Sequence, residues 1–173
     1  VVITGPPSYY DSDPVTIRVR NIDTTGFEIK IQEWDYLDGT HDQELVSYLA
    51  IEKGAYVMDD GTMLEAGVIT GTATKESFLP HIFHQVIPQT EGDAVTGRLE
   101  KIALDSFDFM LQQEELTATE HSPETVGYLA WEPSTVKNEN WIYSVNFTGK
   151  IRNSMTSITF ESSFQDLPFF IAN

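Results

Sequence analysis

The chain has 173 residues, 27 of them acidic and 10 basic, for a net charge of −17 and no cysteine. That charge repels phosphate backbones and anionic membrane surfaces, so nucleic acid is excluded as a partner, and it favours solubility at high ionic strength. The absence of cysteine excludes disulfides, thiolate nucleophiles and Cys-ligated metal sites. Hydrophobic residues at 40% are enough to bury a core, and no apolar run approaches the ~18 residues of a membrane-spanning helix. The expectation is an ordered chain with a solvated acidic surface and no membrane insertion.

In chain order, Val1-Val2-Ile3-Thr4 begins in mid-strand, without an initiator Met or a signal-peptide layout, and reads as a piece cut from a longer protein. Residues Val15–Ile22 alternate, with Val15, Ile17 and Val19 on one face and Arg18 and Arg20 on the other. Asp23-Thr24-Thr25-Gly26 forms a tight turn, and Phe27–Trp34 alternates again with Phe27, Ile29 and Ile31 inward. Glu44–Glu52 is apolar on both faces, as a central strand would be. Asp59-Asp60-Gly61 signals a hairpin, and Ala66–Ile69 and Pro80–Val86 are further strands.

The remainder repeats what has gone before. Eighty residues on, Val15, Thr16, Arg18, Ile22, Phe27 and Gln32 recur as Val95, Thr96, Arg98, Ile102, Phe107 and Gln112. The string HDQELVSYLAIE from His41 recurs as HSPETVGYLAWE from His121. A second match relates Ala66–Gly71 to Thr148–Asn153, and Ser77–Phe83 to Ser163–Ile171. The fold expected is therefore all-β: two tandem antiparallel β-sandwich units of about six strands each. Residues 1–54 form a first unit lacking its opening strand, 64–133 a second and contiguous unit, and 144–173 opening strands that complete the first unit or start a further repeat.

Several clusters carry chemistry. His41 with Glu44, and His121 with Glu124, have the types of a general acid/base pair, but no nucleophile or oxyanion donor accompanies them. The simpler role is the turn into a strand. Trp34, Asp35 and Tyr36 place an aromatic platform beside a carboxylate, which suits sugar binding, or else Trp34 covers a sandwich edge. Asp11-Ser12-Asp13 and Asp35 with Asp38-Gly39 offer hard oxygen ligands for calcium, in a spacing unlike the twelve-residue calcium loop, and otherwise serve as turn residues. His81 and His84 sit in a strand, where their spacing puts them on opposite faces. Asn146-Phe147-Thr148 fits a glycosylation sequon.

The order of these pieces (VTIRVRNIDTTGFEIKIQEW, then LVSYLAIE, with AGVI and TGKI as opening strands) resembles the H-type lectin domain. The resemblance implies a compact antiparallel β-sandwich, assembled as trimers, that binds sugars such as N-acetylgalactosamine. It implies a site on the turn after the Gly-Phe strand, with Trp34 at the family's Trp. The family's Arg position falls on Pro14 and Ala94, and the loops where the family has an acidic residue, Thr72–Ser77 and Asn153–Ser163, hold no Asp but contain Glu76 and Glu161. The function expected is a non-catalytic, carbohydrate-binding module of a larger secreted or cell-surface protein of bacterial origin. Its contacts to a glycan or polysaccharide would come from Trp34, Asp35, Tyr36 and His41, with calcium the one cofactor the residues admit. The alternative is a structural β-sandwich repeat that spaces or oligomerises other domains.

Overall fold

A computed structural model describes residues 1–70, 73–74, 80–87, 93–113, 122–139, 142–148, 151 and 156–171. These contain thirteen strands and no helix: β1 (Val2–Pro7), β2 (Val15–Arg20), β3 (Glu28–Glu33), β4 (Val46–Ala50), β5 (Gly54–Val57), β6 (Met63–Ile69), β7 (Ala73–Thr74), β8 (His81–Ile87), β9 (Val95–Glu100), β10 (Ser106–Gln113), β11 (Thr125–Trp131), β12 (Ser134–Lys137) and β13 (Ile142–Val145). Every pairing is antiparallel. The sheets are small and open: β1-β4, β2-β3, β7-β10-β9, β5-β6-β11-β8 and β12-β13.

The register of the first half recurs in the second. Ile3 faces Leu49 and Thr4 faces Tyr48 in β1-β4, while Phe83 faces Leu129 and His84 faces Tyr128 in β8-β11. Val19 pairs with Ile29 and Arg18 with Lys30, as Leu99 pairs with Phe109 and Arg98 with Met110. The turns agree as well. Asn21 and Lys101 are the two non-glycine residues with positive φ among those described, at 51° and 47°. That conformation costs a side-chain-bearing residue energy, so its return at the same place marks one turn used twice. Asp23 N–H then bonds Gly26 O at 2.9 Å, and Ala103 N–H bonds Ser106 O at 2.8 Å. The β5-β6 hairpin, turning through Asp59-Asp60-Gly61, is echoed by the antiparallel β12-β13 pair.

The sheets stack face to face, as in a sandwich. Phe107 of β10, fully buried, packs on Ile82, Tyr128 and Ala130 of the β8-β11 sheet. A second cluster joins Ile3, Leu64, Ala66 and Leu129, with Leu49, Phe83 and Ile171 against it. Phe107 meets Tyr128 edge-on at 5.1 Å and 71°, and Phe27 meets Tyr48 at 5.1 Å and 70°.

Several expectations from the pattern are corrected. Ile29, placed inward by the alternation, is 44% exposed. Arg18 does not face solvent; it is 3% exposed, because the second half packs over that side of β2. Nor is β4 a central strand. Among the described residues it pairs with β1 alone, and Tyr48 is 56% exposed, whereas β11 lies between β8 and β6 and is buried from Val126 to Ala130. The apolar run is the same; the neighbour on the second edge decides burial. The strand near the end of the chain is Ile142–Val145, and Thr148 and Ile151 lie outside strands.

Candidate binding site on two clasped loops

Two loops extend from one end of the first half: Ser8–Asp13 after β1 and Trp34–Leu45 between β3 and β4. The second opens with a β-turn closed by Leu37 N–H to Trp34 O at 3.0 Å. Gly39 follows at φ +76°, where a side chain would be strained, and its N–H donates to Glu33 Oε2 at 2.8 Å.

Carboxylates tie the loops together. Glu44 accepts the Ser8 hydroxyl and, through Oε1, the N–H groups of Tyr10 at 2.8 Å and Asp11 at 3.0 Å. Ser8 N–H donates to Leu45 O at 2.9 Å, and Leu45 N–H to Ser8 Oγ at 2.8 Å. Asp11 in turn accepts the N–H of Asp13 and of Asp42, at 3.1 and 3.2 Å. His41 sits among them with its side chain only 8% exposed. Its Nδ1 is 3.4 Å from Glu33 Oε1 and 3.8 Å from Asp11 Oδ2, and its Nε2 is 3.5 Å from Glu44 Oε1.

These bonds set the charge states. The N–H groups of Asp13 and Asp42 hold the Asp11 carboxyl below its ordinary value. Burial pushes the Glu44 carboxyl up, but the Ser8 hydroxyl and the two loop N–H groups outweigh it and hold it low. Both carboxylates are thus ionised at neutral pH and committed to the clasp.

The four residues named from the sequence divide. Trp34, Asp35 and Tyr36 share one turn, with Tyr36 57% exposed, Asp35 exposed and Trp34 half-buried. His41 is not on that exposed turn; its ring is buried among the Glu33, Asp11 and Glu44 carboxylates. Tyr9 and Tyr10, 82% and 65% exposed on the partner loop, were not legible as site residues. The one sequence signal was a Tyr-Tyr pair where the alternation of β1 stops. Neither loop contains Lys or Arg. The rim is therefore aromatic and acidic, a surface that stacks on apolar C–H faces and accepts hydrogen bonds from hydroxyls.

The calcium reading finds no geometry: Asp11 and Asp38 bond local N–H groups, and among the described residues no group of three or more His, Asp or Glu is arranged to hold a metal. In the second His/Glu string Glu124 accepts a bond from Arg18 at 2.8 Å; His121 and Glu76 lie outside the described residues. Glu161 accepts bonds from Thr135 and Asn146, away from the clasp. His81 and His84 fall where expected, against different rings, Phe147 and Phe109.

No protein-family model matches the chain, and no solved structure does. The chain is similar to a cell-surface protein of halophilic archaea. That protein is Halomucin of Haloquadratum walsbyi (strain DSM 16790 / HBSQ001), 29% identical over 160 residues. The match covers 85% of this chain but 2% of the relative. The relative is archaeal, so the bacterial origin expected from the sequence finds no support. Among the described residues no helix is long and apolar enough to cross a membrane.

Proposed function

We propose that the chain is a non-catalytic, lectin-like module of a larger cell-surface protein, built from two copies of one antiparallel β-unit, and that it binds neutral glycans. The carrying observation is the rim itself. Tyr9, Tyr10 and Tyr36 project from two loops that hydrogen bonds to Glu44, Asp11 and Ser8 hold together, with Asp35 and the half-buried Trp34 beside Tyr36. Fixing the loops in advance lowers the ordering cost of binding. The lack of Lys and Arg on either loop disfavours uronates and other anionic sugars. The recurrent register and turn conformations support the two-copy reading, and the likeness to Halomucin supports the surface setting. The resemblance to H-type lectins points the same way.

A glycan array probed in molar salt tests the reading. The native protein is expected to retain neutral sugars, and Trp34→Ala or Tyr36→Ala to weaken retention about tenfold or more, the loss of a stacking contact. Absence of any glycan hit for the native protein sinks it. A second reading has its own observation: residues that recur at the 80-residue spacing pack apolar clusters, Phe107 and Leu129 buried within them and Leu49 against the second, which fits a repeat that spaces other domains.

A further inference from the structure

The two copies differ at one edge. β1 meets β4 in the same register in which β8 meets β11, so both strands are presented alike. On its other edge β11 carries β6; among the described residues β4 carries nothing there. Tyr128, Leu129 and Ala130 are buried, whereas Ser47, Tyr48 and Ala50 are exposed and Leu49 only half-buried.

β6 is shaped for the edge it covers. Gly67 lies opposite Tyr128, whose ring rests where a Cβ at residue 67 would be. Glu65, two residues earlier, accepts the Tyr128 hydroxyl, and Leu64 and Ala66 reach the cluster around Leu129. In the first half Phe27 already stands against Tyr48 as Phe107 stands against Tyr128, so the platform is formed, and among the described residues no strand covers it. An exposed ladder of N–H and C=O groups beside an apolar side chain is a template for another strand.

We propose that the free edge of β4 is a strand-acceptor site for an extended segment of the β6 type, supplied antiparallel by a neighbouring unit of the same kind. The segment has a carboxylate, a small residue and then glycine. The β6-β11 register sets its placement, with the glycine opposite Tyr48, the small residue opposite Leu49 and the carboxylate opposite Ala50. Backbone bonds supply the affinity, and the glycine supplies the selectivity, because only it leaves room for the Tyr48 ring. This rests on the two-copy reading and not on sugar binding.

A labelled peptide of residues 62–70, titrated into the whole chain, tests it. Saturable binding with a Kd below about 1 mM is expected, with amides of 46–50 exchanging about tenfold more slowly when bound. The Gly67→Val peptide is expected to bind at least about tenfold more weakly. A covalent version guards against a poorly behaved peptide: residues 62–80 fused ahead of Val1, in the order that precedes β8. Its melting temperature is expected to rise by about 5 °C, with slower exchange at Tyr48. Unchanged exchange at 46–50 in the fused chain, or equal binding of the Gly67→Val peptide, overturns the proposal. A failed glycan array leaves both results standing, so the two readings fail separately.

Discussion

Arg18 donates to Glu124 at 2.8 Å across the two halves of the chain, with the side chains 3% and 0% exposed. Around this pair the Gln85 amide donates to Ile17 O at 2.9 Å, Thr16 Oγ1 donates to Val95 O at 3.0 Å, and Thr4 bonds Gln85. The halves are therefore joined by a buried polar seam and not by a flexible tether. Arg98, the counterpart of Arg18, is exposed and bonds Gln112 at 2.6 Å. Identical residues at equivalent positions thus have different burdens, and their substitutions must differ in cost.

Arg18→Ala leaves the Glu124 carboxylate buried without its cation. A loss of about 3–5 kcal/mol of stability is expected, against less than about 1 kcal/mol for Arg98→Ala. Urea unfolding of the two variants checks this. The double variant Arg18→Met, Glu124→Leu should recover most of the loss, because no charge is then stranded. Equal costs for Arg18→Ala and Arg98→Ala would show that the seam does not join the halves.

The duplicated aromatic pair gives a parallel test. Phe107 is wholly buried against Tyr128, and its truncation to alanine should cost about 3–5 kcal/mol, the range for a phenylalanine deleted from a packed core. Phe27 keeps the same ring geometry against a 56% exposed Tyr48, and Phe27→Ala should cost less than half as much. Thermal unfolding of each variant measures the difference.

What the sequence disclosed follows from what each signal measures. Alternation in VTIRVRNI and FEIKIQEW located β2 and β3, and the 80-residue recurrence foretold the shared register, because pairing depends on side-chain period and turn length, both local. The burial of Arg18 was not legible. Alternation assigns a strand two faces but is silent about what packs on the second, and here it is the second half of the chain. The open edge of β4 was equally hidden, since VSYLA and VGYLA carry almost the same residues with and without a neighbour. At the site, Trp34-Asp35-Tyr36 stood out by composition, whereas the Tyr9-Tyr10 loop is tied to it through Asp42, Glu44 and Leu45, more than thirty residues away in the chain.

His84 makes stability depend on pH. Burial among β8, Gly97 and Phe109 lowers its pKa from 6.5 to about 4, outweighing the opposing bond with Gly97. Above pH 6.5 both folded and unfolded chains hold it neutral, and stability is full. Between 6.5 and 4 the unfolded chain takes up a proton that the folded chain refuses, so stability falls as pH falls, by about 3 kcal/mol in all. His81, also lowered by burial, acts in the same direction. Below the ordinary carboxylate values of 3.8 and 4.5, loss of the Asp11 and Glu44 charges adds to it. Urea midpoints at pH 7, 5.5 and 4.5 should fall steadily, and His84→Gln should flatten most of the slope. An equal slope in the variant would place the titrating group elsewhere.

Salt should act in the opposite sense to acid. A net charge of −17 on 173 residues makes the compact state repel itself, and the rim loops concentrate that charge with no Lys or Arg to offset it. Screening shortens the reach of each carboxylate to about 3 Å at 1 M salt, below the spacing of most exposed neighbours. The melting temperature should therefore rise steeply between 0.1 and ~1 M KCl, where screening changes most, and more gently beyond. Replacing five exposed acids outside the clasp by their amides, including Asp35 and Asp38, should raise the low-salt melting temperature and reduce its salt dependence. Differential scanning at graded KCl reads both effects. A salt response unchanged by the five amides would mean that screening of surface repulsion is not its source, leaving burial of the apolar clusters around Phe107 and Ile3 as the salt-sensitive element.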